Sequence, residues 1–134
     1  LALFAFNFVV FSPELIGIQQ ASTIDVRAGT FDPPSRTANT MPEVSNVLIL
    51  PTSPSDSSNL SATYTYFDAD GHGESSSKIK WFKNGELQVI YDDQKAIPSS
   101  ATSVGDEWHF TVSPHDGLEY GIEMESVDPV TVVA

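Results

Sequence analysis

Residues 78–91 read Lys78-Ile-Lys-Trp-Phe-Lys83, Asn84-Gly85 and Glu86-Leu-Gln-Val-Ile-Tyr91, and this stretch decides the fold class. Apolar and polar side chains alternate on both sides of the Asn-Gly pair, as they do in half-buried strands. Asn-Gly is the preferred pair for a two-residue hairpin turn, because both central residues need a positive φ. The stretch therefore predicts two antiparallel strands, 78–83 and 86–91, joined by a tight turn.

The same alternation continues on both sides of this hairpin. Every second residue from Leu60 to Tyr66 falls on one face of an extended chain, and Trp108, Phe110 and Val112 do the same. No stretch has a sustained helical period, so we expect an all-β fold, an antiparallel sandwich of about seven strands. Besides the hairpin, strands are predicted at residues 44–50, 60–67, 107–112, 120–127 and 130–133, and residues 95–105 remain ambiguous.

The chain is strongly acidic, with 18 Asp and Glu against 6 Lys and Arg. Residues 43–134 carry 15 of the acids and four lysines, a net charge of −11. A phosphate backbone would be repelled, so nucleic-acid binding is excluded, whereas cation binding is favoured. The chain contains no cysteine, which excludes disulfides, thiolate catalysis and cysteine zinc sites.

The N-terminal arm, residues 1–28, begins with a nearly unbroken apolar run over residues 1–11. Phe4, Phe6 and Phe8 would share one face of an extended strand. Residues 29–43 contain three prolines and a glycine without periodicity, which predicts a linker. Three interpretations of the arm compete: a leftover secretion signal, a membrane anchor, and a strand that inserts into a partner subunit. Folding back onto its own domain is a further possibility.

The inserted strand accounts for most features of the apolar run. A secretion signal needs a basic start, but the first basic residue is Arg27. A membrane helix needs about 20 apolar residues, and Ser12-Pro13-Glu14 interrupts the run, so no membrane span is expected. Extended, residues 1–11 reach about 36 Å and are apolar on both faces, as in strands buried on both sides. One observation opposes this interpretation: residues 44–134 already predict nearly all the strands of a sandwich. The residues expected to enter a neighbouring subunit are Leu3, Phe4, Phe6, Phe8, Val10 and Phe11.

Four motifs follow one another in the remaining chain: Leu60-x-Ala-x-Tyr-x-Tyr-Phe-Asp68-Ala-Asp70-Gly71, Ile79-x-Trp81-Phe-Lys-Asn84-Gly85, Gly105-Asp-x-Trp108 and Ser113-Pro114-x-Asp116-Gly117. In this order they resemble immunoglobulin-like repeat modules of large prokaryotic, especially archaeal, surface and secreted proteins. The resemblance covers residues 43–134, and the arm outside it resembles the donor strand of pilus subunits.

That resemblance implies an immunoglobulin-like sandwich, here without a disulfide, in an extracellular protein with a structural or adhesive role. It implies that Trp81 is the core tryptophan of the third strand. Asp116-Gly-Leu-Glu-Tyr120 resembles the segment that ends in the tyrosine of a tyrosine corner. The core is therefore expected to contain Trp81, Trp108 and Tyr120.

The loop Asp68-Ala-Asp70-Gly71-His-Gly73-Glu74 is the candidate metal site. Alternate carboxylates on a glycine-bent loop can turn their oxygens toward one hard cation, and Glu74 can complete the shell. A solvated turn is the competing interpretation, because Asp and Gly are common in turns for conformational reasons. The sequence predicts calcium at Asp68, Asp70 and Glu74, and no other cofactor.

No catalytic residues are expected. His72, His109 and His115 lack metal-ligand spacing to one another, and the chain has no nucleophile elbow, glycine-rich phosphate loop or HExxH motif. Asn59-Leu60-Ser61 is an acceptor sequon, which predicts glycosylation at Asn59 if the chain is secreted.

Together these features predict a structural subunit of an extracellular filament or pilus. The subunits would assemble head to tail, each inserting its N-terminal strand into the sandwich of a neighbour. The alternative is a monomeric cell-surface adhesin or glycan-binding module whose arm packs on its own domain. The expected partners are further copies of the chain, and glycans or a host or cell surface.

Overall fold

Strands account for nearly all regular structure in the computed structural model, which describes residues 37–134. The all-β prediction is confirmed for this part of the chain. The predicted N-terminal arm and the insertion residues from Leu3 to Phe11 lie outside the described residues. The strands are β1 (Glu43–Leu50), β2 (Leu60–Phe67), β3 (Lys78–Lys83), β4 (Glu86–Leu87), β5 (Ala96–Ile97), β6 (Glu107–Ser113), β7 (Met124–Glu125) and β8 (Val130–Thr131).

The strands form two antiparallel sheets. The first has the order β1-β2-β5, and the second has the order β4-β3-β6-β7, with β8 also paired to β6. The longest pairing in the second sheet runs from Lys78 opposite Ser113 to Lys83 opposite Trp108. In the first sheet, Glu43 lies opposite Phe67, and a bulge in β1 follows Ser45. Among the described residues, β1 and β7 are therefore edge strands of different sheets.

One hydrophobic core joins the two sheets. Trp81 and Trp108 are fully buried in it, and their rings meet edge to face at 6.2 Å. The alternation along β2 and β6 places every second side chain of these strands toward the core, which is why the period of two was visible in the sequence. The core residues are Val44, Val47, Ile49, Leu60, Ala62, Ile79, Trp81, Ile97, Trp108, Phe110, Val112, Val130 and Val132.

The predicted hairpin turn is present, but its second strand is shorter than predicted. Asn84 and Gly85 have φ values of 52° and 85°, as a turn with two positive φ values requires. The strand ends at Leu87, and Val89–Tyr91 forms a 3-10 helix instead. This helix brings the ring of Tyr91 to within 6.4 Å of that of Trp108. Tyr91 thereby packs against the core, so tertiary packing overrides the local pattern.

The prediction that Tyr120 lies in the core is wrong. Tyr120 is 40% exposed. Its ring lies tilted against that of His115, with the centroids 4.2 Å apart, and the Lys78 ammonium lies 5.6 Å from the Tyr120 centroid. Tyr120 follows the tight turn that begins at Asp116, and it precedes β7 rather than lying in it. An amphipathic ring in this position can cover apolar surface while its hydroxyl stays in water. The predicted strand 120–127 is reduced to Met124–Glu125.

The boundary of the predicted linker also changes. Asn39–Ala134 forms one compact unit, so the last residues of the predicted linker belong to the folded part. Pro42 is fully buried, and β1 begins at Glu43. Two short 3-10 helices, Val89–Tyr91 and Ser99–Ala101, are the helical elements of the described residues, and neither has the length and hydropathy of a membrane-crossing helix.

Candidate metal site and apolar groove

Asp68 lies at the end of β2 and is held by its own loop. Its Oδ1 accepts the backbone N–H groups of Asp70 at 2.7 Å and His72 at 3.2 Å. Asp side chains commonly stabilise turns in this way, by accepting a hydrogen bond from the backbone two residues on. The turn places the carboxylate beneath the loop, where the side chain is only 1% exposed.

Asp116 is held in the same way in the turn after β6. Its Oδ1 accepts the N–H groups of Leu118 and Glu119, each at 2.7 Å, and its Oδ2 accepts the side-chain N–H of Asn39 at 2.8 Å. Burial by itself raises the pKa of Asp116, but the donors from Glu119, Asn39 and Leu118 lower it well below its usual range. Asp116 is therefore a carboxylate anion at neutral pH.

The fold brings these two carboxylates together under one histidine. The Nδ1 atom of His72 lies 3.8 Å from Asp68 Oδ1 and 3.8 Å from Asp116 Oδ2. The three side chains offer ligand atoms that all lie within 4.8 Å of one another. The carboxylates are almost fully buried, whereas the His72 side chain is 41% exposed and borders solvent. Asp68, His72 and Asp116 thus form a group that could hold a metal ion.

Only one of the three predicted metal ligands belongs to this group. Asp70 Oδ2 accepts the N–H of Thr40 at 2.6 Å. Glu74 Oε2 accepts the hydroxyl of Tyr64 at 2.9 Å and lies 3.7 Å from the Lys95 ammonium. Asp70 and Glu74 therefore have partners elsewhere, while Asp68 belongs to the cluster.

Sequence reasoning missed His72 and Asp116 as possible ligands. The motif containing Asp116 was visible as a turn, but nothing local places it beside a loop that ends some forty residues earlier. A parallel bridge between Ser75 and Asp116 makes that connection in the folded chain. His72 was visible inside the predicted loop, and the signal missed was that it follows Asp68 by four residues with glycine on both sides.

Two oxygen atoms at this group are buried without a hydrogen-bond donor among the described residues. They are Asp68 Oδ2 and Asn39 Oδ1, and the other such side-chain atom in the described chain is Trp108 Nε1. Asn39 contacts the group directly, since its Nδ2 donates to Asp116 at 2.8 Å and to Glu119 at 3.0 Å. Buried acceptors without a donor are costly, so one within the group and one on the residue that contacts it are specific features of this site.

A separate apolar groove lies between the edge strands of the two sheets. This β1–β7 groove has a volume of about 420 Å³ and is lined by Thr40, Met41, Pro42, Glu43, Val44, Ile122 and Met124. Ile122 is 66% exposed although it is apolar. Gly121 is required beside the groove, because a Cβ there would lie within 3 Å of the backbone of Pro42. Pro42 is thus seated tightly against residue 121.

A second, smaller groove of about 280 Å³ lies further along β1, against the β7–β8 connection, with Leu48, Ile49, Val127 and Val130 among its lining residues. One backbone hydrogen bond, from Val127 N–H to the Val47 carbonyl at 2.8 Å, lies between the two grooves. The opening between the sheets is therefore lined with apolar side chains on both sides of this hydrogen bond.

The predicted glycosylation residue lies at the start of β2. Asn59 is exposed, and its Oδ1 accepts the N–H of Ser99 at 2.8 Å. Its side-chain nitrogen, the atom that carries an N-linked glycan, donates to no other described residue.

The chain matches no protein-family model, and comparisons with curated proteins and with solved structures find no match either. The fold and the site define the class of this protein only as an all-β module with a candidate metal site.

Proposed function

We propose that this chain is a structural subunit of an extracellular filament and that it assembles by strand insertion. The observation that carries the proposal is the β1–β7 groove, an exposed apolar cleft between two edge strands. Edge strands offer unpaired backbone groups to an added strand, and flanking pockets select its side chains. Residues 1–11 have the apolar side chains that such a groove would take.

The occupant we propose is residues 1–11 of a second copy of the chain. The arm is joined to the folded unit next to Asn39, and the segment that follows forms one wall of the groove. Proline-rich segments act as extended, semi-rigid spacers, and residues 29–38 would carry the arm away from its own groove. Insertion into a neighbour makes a head-to-tail contact that repeats without closing, so it builds a filament.

The fold type we propose is an immunoglobulin-like sandwich. Its support is the strand order, because β1-β2-β5 and β4-β3-β6-β7 correspond to an A-B-E sheet and a C′-C-F-G sheet. The buried Trp81 in β3 lies where such a domain has its core tryptophan. The role that accompanies it is structural rather than catalytic.

A bound calcium ion is part of the proposal. Its support is the oxygen-rich group formed by Asp68 and Asp116, since carboxylate and carbonyl oxygens are the ligands that calcium prefers. Titration of the full chain with calcium should give binding in the range of about 10⁻⁴–10⁻³ M typical of extracellular modules. Tight zinc binding that His72→Ala abolishes, without any calcium binding, would assign the site to zinc instead.

Filament formation can be tested with a matched pair of substitutions. Ile122 lies in the β1–β7 groove, whereas Ile90 lies on the 3-10 helix Val89–Tyr91 and is 72% exposed. Ile122→Arg should abolish filaments in electron micrographs, because a charge would enter the apolar groove. Ile90→Arg should leave them intact. Equal filament yield from both variants, or from a chain lacking residues 1–11, would contradict the proposal.

Insertion in trans can be tested by disulfide trapping, because the chain has no native cysteine. A Phe8→Cys chain mixed with an Ile122→Cys chain should give a cross-linked dimer under mild oxidation. If only a chain carrying both cysteines cross-links, and only within itself, the arm packs on its own domain.

That second result would favour the alternative function, a monomeric adhesin or glycan-binding module. The observation that supports the alternative is exposed aromatic surface, since Phe67 is 59% exposed at the end of β2. Aromatic rings that are not needed by the core can stack on sugars. A glycan array probed with the wild-type chain and with Phe67→Ala would test it, with binding that is lost in the variant as the supporting result.

A further inference from the structure

The candidate cation site and the apolar groove share one segment of the chain. Asn39 contacts the carboxylate group, and residues 40–44, directly after it, form one wall of the β1–β7 groove. Thr40 adds a second attachment, since its N–H donates to Asp70 in the loop that holds Asp68. A ligand that fixes Asn39 at the carboxylate group therefore also restrains residues 40–44, which form the groove wall.

The two unpartnered oxygens indicate what that ligand is. Asp68 Oδ2 and Asn39 Oδ1 are both acceptors, both are buried, and neither has a donor among the described residues. The Asp68 side chain is 1% exposed, so bulk water does not reach it. A hydrogen-bond donor or a cation would satisfy these atoms, and a cation is favoured because Asp116 adds a second buried negative charge.

The kind of ligand atom favours an oxygen-preferring ion. The two unpartnered atoms are a carboxylate oxygen and an amide oxygen, and both are ligands that calcium takes.

We propose that Asn39 is a ligand of this site together with Asp68 and Asp116, and that calcium thereby fastens residues 39–44 and shapes one wall of the β1–β7 groove. The ion would link three separate segments: the start of the folded unit, the loop after β2 and the turn after β6. Calcium would then be needed for a well-formed groove. The consequence for filament assembly rests on the proposed strand insertion, and the ligand set rests on the proposed calcium ion.

Two substitutions of Asn39 separate a ligand from a merely structural residue. Asn39→Leu removes both the amide donor and the oxygen, so calcium affinity should fall by at least about tenfold. Asn39→Asp keeps an oxygen ligand but sets a third carboxylate beside Asp116 and Glu119. Without calcium this variant should unfold more readily than wild type, and calcium should restore its unfolding temperature. A purely structural role predicts that Asn39→Asp is destabilised to the same extent with and without calcium.

The effect on the groove wall can be read by hydrogen exchange of the full-length chain in its monomeric fraction. Calcium should slow exchange at the amides of Thr40, Met41, Glu43 and Val44 in wild type and not in Asn39→Leu; Pro42 has no N–H to exchange. The matched control is Asp56→Asn, which removes one exposed carboxylate outside the cation site, and it should behave as wild type. Asp68→Asn should lose binding while keeping the turn that Oδ1 stabilises.

Three results would overturn the inference. They are no calcium binding by wild type at millimolar concentration, undiminished binding by Asn39→Leu, and binding that leaves exchange at residues 40–44 unchanged. None of these measurements involves filaments, so they keep their meaning even if Ile122→Arg and Ile90→Arg give equal filament yields and the proposed assembly fails. Conversely, filaments that form equally well in a calcium chelator would contradict the link between calcium and assembly. They would not contradict the ligand set, which the binding measurements test.

Discussion

At the scale of single residues, the two core tryptophans differ in how their indole N–H groups are satisfied. Trp81 Nε1 donates to the Gln94 carbonyl at 2.8 Å, whereas Trp108 Nε1 is buried with no acceptor among the described residues. Both rings are fully buried, and Lys83 lies 5.7 Å from the centroid of Trp108. The two side chains therefore fill equal volumes in the core, but only the indole N–H of Trp81 forms a hydrogen bond.

Replacing each tryptophan by phenylalanine should expose this difference. Trp81→Phe loses a hydrogen bond and leaves the Gln94 carbonyl unpaired, whereas Trp108→Phe removes a donor that had no partner. The free energy of unfolding should fall by about 1 kcal/mol more in Trp81→Phe than in Trp108→Phe. Urea denaturation followed by circular dichroism would measure it. An equal loss of unfolding free energy in the two variants, or a larger loss in Trp108→Phe, would contradict the difference in hydrogen bonding.

Asp106 should make the stability depend on pH. Burial by itself raises its pKa, but hydrogen bonds from Lys83, the Ser103 N–H and Asn84 lower it below its usual value. A carboxyl whose pKa is lower in the folded state stabilises the fold above its unfolded pKa of about 4, and that contribution is lost as the pH falls through the folded pKa. Acidification from about pH 6 to about pH 3 should thus destabilise wild type. Asp106→Asn should lose less stability over this range than the Asp56→Asn control.

At the scale of elements, the β3–β4 hairpin depends on its turn. Gly85 has a φ of 85°, and a Cβ at this position would meet nothing within 4 Å. Any cost of adding one is therefore conformational rather than steric crowding by neighbours. Such a turn tolerates glycine far better than alanine, because the left-handed region is unfavourable for a residue with a Cβ.

Gly85→Ala should accordingly lower the free energy of unfolding by about 1–2 kcal/mol. Gly73 is a matched control, since a Cβ there also meets nothing within 4 Å and its φ lies outside the left-handed region. Gly73→Ala should be neutral or slightly stabilising. Thermal unfolding of both variants would decide, and equal effects would show that the hairpin turn does not limit stability.

At the scale of the whole molecule, like charges dominate the surface. Residues 43–134 have 15 acidic residues and four lysines. Two of these lysines form ion pairs among the described residues, Lys83 with Asp106 and Lys95 with Glu74. A net charge this far from zero favours solubility but destabilises the compact state through self-repulsion.

Sodium chloride should therefore raise the unfolding temperature, by about a few degrees, when calcium is removed with a chelator. Salt screens repulsion between exposed charges over distances beyond the Debye length, about 10 Å at 0.1 M. Differential scanning calorimetry across a salt series would measure the effect. Asp56→Lys, which reduces the excess negative charge, should give a shallower dependence. A fall in unfolding temperature with salt would mean that favourable ion pairs dominate instead.

The sequence predicted features that depend on neighbouring residues better than features that depend on contacts between distant parts of the chain. Alternation identified β2, β3 and β6, and Asn84-Gly85 identified the turn, because both signals are local. Residues 88–91 were predicted as strand because their pattern is also local, but packing of Tyr91 against Trp108 turned them into a 3-10 helix. The exposed position of Tyr120 likewise depends on contacts that periodicity does not encode.

For the site, residue chemistry in the sequence was enough to single out the loop that begins at Asp68 as acidic, bent by glycine and suited to a cation. Only the folded chain decided which oxygens converge, because Asp116 and Asn39 reach Asp68 through contacts between distant segments. The apolar run at residues 1–11 was evident from composition alone, since it needs no partner to be recognised. The groove that could receive it became visible only when two sheets placed their edge strands side by side. Side-chain periodicity reports the near neighbours along the chain, whereas a site is made by residues that only tertiary packing brings together.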